Sequence, residues 1–331
     1  MGFSNTYDTA NLGSAVSNRE HLTDVLTILA PEETPVLSLA EKLKAKATNV
    51  EWTVDGLKTP STAGRSEGAD VTAFNDQFAS RGRLGNYIQW WLEPWKVSTI
   101  QNAVESVGPA GDSEAESKAL MEVKRNIEAT FCSANAKSAE DGAGTPYKTA
   151  GLGAWIDATD SQSCGIPAQY RTPSTSIHTT GDVTETVMNN ILTSIYRKSG
   201  VAQDLTLVAD TALRNEIVEG MARAEGSSSN SKVYSINEDM TKKKITYNVT
   251  MFEGPQGMVS IINMNPDCAP DTTNADTGYF INPSKLAYYE LLPMGSTKLE
   301  NQGGGSRGFV DCAGALAVKH PQAFGKITAI A

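Results

Sequence analysis

Histidine and cysteine are scarce in this chain, three and four respectively among 331 residues, and neither is clustered. Cys132, Cys164, Cys268 and Cys312 lie 32, 104 and 44 residues apart with no C-x-x-C pair, and His21, His178 and His320 are equally scattered. Zinc sites draw on denser groups, so no metal and no cofactor are expected, and the thiols are expected to be reduced and structural. Long apolar runs are also missing: nothing approaches the roughly eighteen consecutive residues of a membrane helix. The opening "MGFSNTYDTANLGSAVSNRE" lacks the basic start and apolar centre of a secretory signal. These absences predict a chain made in the cytosol with no membrane partner. Basic clusters are few, Lys242-Lys243-Lys244 standing against a net charge of -10 from 28 basic and 38 acidic residues. That balance argues against a groove that tracks phosphates, although it would not prevent a protein from enclosing nucleic acid without gripping it.

What is present is ordinary globular composition, 40% apolar with a mean hydropathy of -0.30, enough for one large domain or two medium ones. About twenty polar residues come first and are expected to be extended. "REHLTDVLTILA" then places Leu22, Val25, Leu26 and Leu29 at helical spacing until Pro31 stops the run. Thr34 and Pro35 start a second short helix with Val36, Leu39, Ala40 and Leu43 as its stripe. Neither is long enough to hold itself together in water, so both read as an arm docked on another surface.

Between residues 48 and 100 the period changes to two. "NVEWTVDGL" and "NYIQWWLEPWKVS" read as strands joined by the polar stretch 58–82, giving an extended hairpin that needs a partner surface. Trp90, Trp91 and Trp95 on its returning limb fit either core aromatics at the base or interface anchors. From 112 to about 139 a capping box (Ser113, Glu116) and apolar residues Leu120, Val123, Ile127, Phe131 and Ala134 predict one long single-faced helix. Glu114 with Lys118, and Lys124 with Glu128, read as ion pairs on its solvent face. A second helix ends at Gly200, "DLTLVAD" reads as a buried strand, and "TALRNEIVEGMAR" as a further helix. "KKITYNVTMF", "MVSIINM" and "GYFINPSKLAYYELL" read as strands, with one or two more after Arg307. The whole is mixed α and β, of α+β class.

Catalytic patterns are thin. "GGSRG" at 304–308 matches G-x-S-x-G, with Asp311 and His320 following in Ser, Asp, His order. A nucleophile elbow needs a strand before the serine and a helix after it; here a loop precedes and a strand follows, so a glycine turn is expected. "QGGGSRG" lacks the Lys-Ser/Thr of a phosphate loop. Adjacent acids such as Glu32-Glu33 and Glu140-Asp141 fall at helix ends or in loops and read as solvated.

The order of parts resembles the major capsid proteins of tailed bacteriophages from about residue 20 onward. Its carriers are "LTDVLTILAPEETPVLSLAEKLKAKATNVEW", "EGAD" at 67–70, "AESKALMEVKRNIEATF", "GLGAWID", "DLTLVAD", "MFEGPQGMVSIINM", "YFINPSKLAYYELLP" and "LAVKHPQAFGKITAI". The resemblance implies the tailed-phage major capsid fold: an N-terminal arm (1–46), an extended hairpin loop (47–100), a peripheral domain (101–180 and 296–331) with a spine helix at about 112–139, and an axial domain (181–295). It further implies a non-enzymatic structural protein. Hexamers and pentamers of itself would tile an icosahedral shell around double-stranded DNA, assembled in the host cytoplasm and located in the virion. Expected partners are a portal, a separate scaffolding protein unless the chain is already processed, and a cement protein where one is used. Subunit contacts are expected from Leu22, Val25, Leu29, Val36 and Leu39 of the arm, Arg65, Glu67 and Asp70 of the loop, and Trp90, Trp91 and Trp95. Two rivals are a cellular encapsulating shell of the same fold holding a cargo enzyme, and a hydrolase using Ser306, Asp311 and His320.

Overall fold

The structure, a computed structural model, describes residues 33–72, 74–104, 111–200, 204–222, 236–239, 242–245, 250–269, 277–301 and 303–328. Its first element is the short helix α1 (Pro35–Leu39), with proline where a missing N–H costs nothing. Then come β1 (Glu41–Lys44), β2 (Asn49–Val54), β3 (Gly82–Tyr87) and β4 (Gln89–Ser98). Helix α2 (Thr99–Ala103) is capped by Ser98, whose Oγ accepts from the Gln101 N–H, and the long α3 (Asp112–Cys132) follows. Next are α4 (Leu152–Trp155), β5 (Ile177–His178) and α5 (Glu185–Ser199), which Gly200 ends with a left-handed φ of 70°. The chain continues through β6 (Leu205–Ala209), α6 (Thr211–Ala222), the paired ribbon β7 (Ile236–Asp239) and β8 (Lys242–Ile245), and the hairpin β9 (Met251–Gly254) and β10 (Gly257–Asn263). Strands β11 (Gly278–Ile281), β12 (Leu286–Leu299), β13 (Gly305–Val318) and β14 (Gly325–Ile327) complete the described elements.

Two sheets organise these parts. The first has the order β1-β12-β13-β4, with β1 parallel to β12 and the other pairs antiparallel. Helix α3 covers one of its faces: Val123, Ile127 and Phe131 share a buried cluster with Trp91, Trp95, Val97, Val310 and Cys312. The second has the order β5-β14-β11-β6-β10-β9. Its central strand β6 is buried at every position, Thr206 included, as a strand covered on both faces must be. Ile191 and Ile195 of α5, and Leu213 and Ile217 of α6, pack with Leu207 and Phe280 of this sheet. The α+β class is as expected.

Several local expectations change. The stripe through Leu43 does not make one helix: Ala40 turns extended (φ -75°, ψ 131°), and 41–44 add to the edge of β12, whose unpaired backbone groups outweigh one more helical turn. The long helix ends at Cys132, not 139, and Ala134 is exposed beyond it. Its N-cap is Gly111, so the Ser113–Glu116 capping box does not form. "GYFINPSKLAYYELL" is two strands in different sheets, split by a 3-10 turn at Pro283–Lys285. The hairpin partner of β2 is β3, in register from Asn49 with Tyr87 to Val54 with Gly82. The Trp-bearing run that follows passes into the body sheet as β4. The first arm helix, with Leu22, Val25 and Leu29, lies outside the described residues.

Candidate assembly surfaces

The arm junction is built from the spine helix outward. The Glu128 side chain on α3 is fully buried, and its two carboxylate oxygens accept from Val36 N–H and Leu37 N–H, each at 2.8 Å. Asn265 adds a bond from Nδ2 to the Glu33 carbonyl at 2.9 Å. Val36 is buried and Leu39 packs against the same core, so both face their own subunit. Glu128 therefore is not the solvent-face partner of Lys124 that helical spacing suggests. Burial pushes its carboxyl up to about 7, against the downward pull of the Val36 and Leu37 bonds.

The hairpin is stitched at its base and free at its tip. Asn86, fully buried on β3, reaches the Thr149 Oγ1 at 2.8 Å and the Leu316 carbonyl at 2.7 Å, while its Oδ1 accepts from Ala150 N–H at 2.9 Å. Further out, Arg83 pairs with Glu51 and Arg81 with Asp55, while Gln169 Nε2 and the Tyr170 hydroxyl donate to the Ser80 carbonyl. Every described residue from 57 to 79 is exposed, Arg65, Glu67 and Asp70 included. Leu57 stands wholly in solvent, Phe74 is 89% exposed and Phe78 62%. A monomer gains nothing by holding such side chains in water.

The three tryptophans separate by strand alternation. Trp91 and Trp95 face α3 and are buried; Trp91 donates from Nε1 to the Thr130 Oγ1 at 3.1 Å and stacks edge-on against Phe131. Their place is the core, and the interface expectation for these two is corrected. Trp90 points to the opposite face, 59% exposed, its Nε1 donating to Asp311 at 3.1 Å. With Ile88, Leu291, Leu292 and Ala313 it lines a cavity of about 370 Å³.

The residues of the hydrolase reading do not converge. Ser306 and Asp311 lie on the same strand, five residues apart, so their side chains point to opposite faces with Cα atoms about 17 Å apart. Ser306 Oγ accepts from Asn102, Asp311 is taken by Trp90, and His320 follows the end of β13. Desolvation, with Lys285 nearby, holds the His320 imidazole below its usual range. The four thiols are buried and unpaired, and burial pushes Cys164 and Cys268 up to about 11, which leaves them inert at neutral pH. Among the described residues no cluster of His, Cys, Asp or Glu could hold a metal ion, and no helix is long and apolar enough to cross a membrane.

A family model described as SU10 major capsid protein matches residues 2–331. No curated protein sequence matches the chain. Among solved structures, the cyanophage A-1(L) capsid asymmetric unit is similar at a TM-score of 0.68, with 15% identity over 95% of this chain and 97% of that one. The capsid of an empty GTA particle gives 0.63, with 13% identity over 98% and 99%. A chain of Microbacterium phage Oxtober96 gives 0.57, with 13% identity over 98% and 99%. At these identities the likeness is one of fold.

Proposed function

The chain belongs to the SU10 major capsid protein family, a structural component of the phage capsid that associates with copies of itself, and from that premise we propose how one subunit meets the next. The peripheral domain is the four-stranded sheet with α3, and the axial domain is the six-stranded sheet with α5 and α6. In this reading the chain passes between them at the turn 282–285, which separates β11 of the second sheet from β12 of the first, and β14 returns to the second. Residues 55–81 form the extended loop that reaches over a neighbouring subunit. The exposure of Phe74 and Leu57 on a loop whose base is pinned by Ser80 and Asn86 carries this reading.

Hexamers and pentamers would follow from repeating this contact. It is heterologous, loop on one copy and body on the next, and such contacts close into rings when the rotation permits. The shell encloses double-stranded DNA without sequence-specific contacts, in keeping with the net charge of -10. It assembles in the host cytoplasm with a portal and a separate scaffolding protein, and cement protein is added where the shell requires it. The subunit performs no catalysis. Replacing residues 58–79, which leaves Ser80 in place, by a short Gly-Ser turn tests the loop: particles are lost while the monomer keeps its fold, and normal particles would overturn the assignment.

A further inference from the structure

Glu128 is a full-length carboxylate side chain buried without a countercharge. Both its oxygens are used by backbone N–H groups of a segment more than ninety positions earlier in the chain. Helix α1 is five residues long, "PVLSL", and brings no ionisable side chain to the contact. The groups that do face the site are thiols and one distant pair. Cys132 Sγ, one turn along α3, lies 4.0 Å from Glu128 Oε1. Cys268, from the 3-10 turn after β10, donates to the Arg125 carbonyl. Arg125 is engaged by Asp267, and the Tyr279 hydroxyl of β11 donates to the Cys132 carbonyl. Both thiols and the phenol are raised by burial and carry no charge near neutral pH.

We propose that Glu128 is a proton-controlled latch: its carboxyl group, closed between the spine helix and α1, sets how firmly residues 33–40 stay docked on the subunit body. A buried carboxylate with no cation beside it is costly; a bound proton relieves that cost but gives up one of the two N–H bonds, and desolvation is the larger of the two effects. When the segment lifts, Glu128 meets water and its acidity returns to the ordinary carboxylate value of 4.5.

The direction follows from linkage. Docked, the group titrates near 7; undocked, near 4.5. Between these values the docked form holds a proton that the undocked form has released. Docking is therefore tightest in acid, weakens as pH rises through this window, and levels off above about 7. Acid closes the latch and neutral pH loosens it.

Hydrogen exchange of the full-length, unassembled chain between pH 5 and 8 reads this directly, after correction for intrinsic rates. The protection of peptides covering 33–40 falls by up to tenfold per pH unit up to about pH 7 and then stays level. Peptides from α5 serve as the flat reference. In Glu128→Gln the same peptides show no pH dependence and stay at least as protected at pH 7.5 as in the parent chain. Should that variant fail to fold, Glu128→Met removes the titrating group without supplying an acceptor, so it carries the comparison of slopes alone: its protection is also independent of pH. Protection independent of pH in the parent, or an unchanged profile in the variant, overturns the latch. A purely structural acceptor would instead give a Gln variant with lower protection at every pH, which also overturns it. What the latch does for shells rests on the arm reading above; exchange in the free subunit fails or succeeds apart from assembly.

Discussion

The side-chain amide of Asn86 lies 2.7 Å from the Leu316 carbonyl, joining the foot of the hairpin to the central strand of the four-stranded sheet. Thr149 completes the joint, accepting from Asn86 at 2.8 Å and from Leu316 N–H at 3.2 Å. Replacing Asn86 with Leu leaves the Ala150 N–H and the Leu316 carbonyl unpaired in a dry site. A loss of about 3 kcal/mol is expected, since each buried unsatisfied group costs about 1–3 kcal/mol. Urea denaturation of the monomer measures it. A loss below about 0.5 kcal/mol would mean that water reaches the joint.

Trp90 and Trp91 are neighbours in sequence with opposite roles. Trp91→Ala opens a cavity against Phe131 and Thr130 and is expected to cost the monomer about 3–5 kcal/mol. Trp90→Ala removes a half-exposed ring and is expected to change monomer stability by less than about 1 kcal/mol. If the second sheet face meets another copy, Trp90→Ala reduces particle yield all the same. Thermal melts of the two variants beside sedimentation of their assembly products separate the roles.

The loop makes a complementary prediction. Phe74→Ser with Leu57→Ser removes apolar area that stands almost wholly in solvent. Monomer stability should move by less than about 0.5 kcal/mol, and assembly should fall. Light scattering under assembling conditions reads the second effect; a large drop in the melting temperature of the free subunit would show that the loop packs on its own body.

Ser306→Ala should leave both assembly and stability close to those of the parent. The serine hydroxyl accepts from Asn102 at 3.3 Å and donates to the Asp112 carboxylate, at the surface of the subunit. An ester-hydrolysing activity in the parent that disappears in this variant would contradict the structural reading.

Much of this architecture is legible from periodicity. The spine helix announces itself through Val123, Ile127 and Phe131, and α5 through Ile191, Ile195 and the glycine stop. The hairpin shows only in its outgoing limb. Its return does not show: β3 carries no alternation, with three successive buried residues, and the alternating run after it, which reads as the return, pairs with the open edge of β13 as β4. Strand parity does say that Trp90 and Trp91 face opposite ways, yet not which face α3 covers. Glu128 is the instructive case. Its spacing to Lys124 reads as a solvent pair, whereas its real partners are two N–H groups from the far end of the sequence, and nothing local marks such donors. Leu43 shows the same limit in reverse, a residue with helical spacing that a strand edge captures.

A chain that builds a shell from copies of itself through its loop shows this under the electron microscope, when purified after expression alone and with its genomic neighbours and weighed by light scattering. Closed particles, or rings of five and six subunits, are expected, and they disappear when residues 58–79 are replaced. A uniform monomer or dimer under every condition would contradict this.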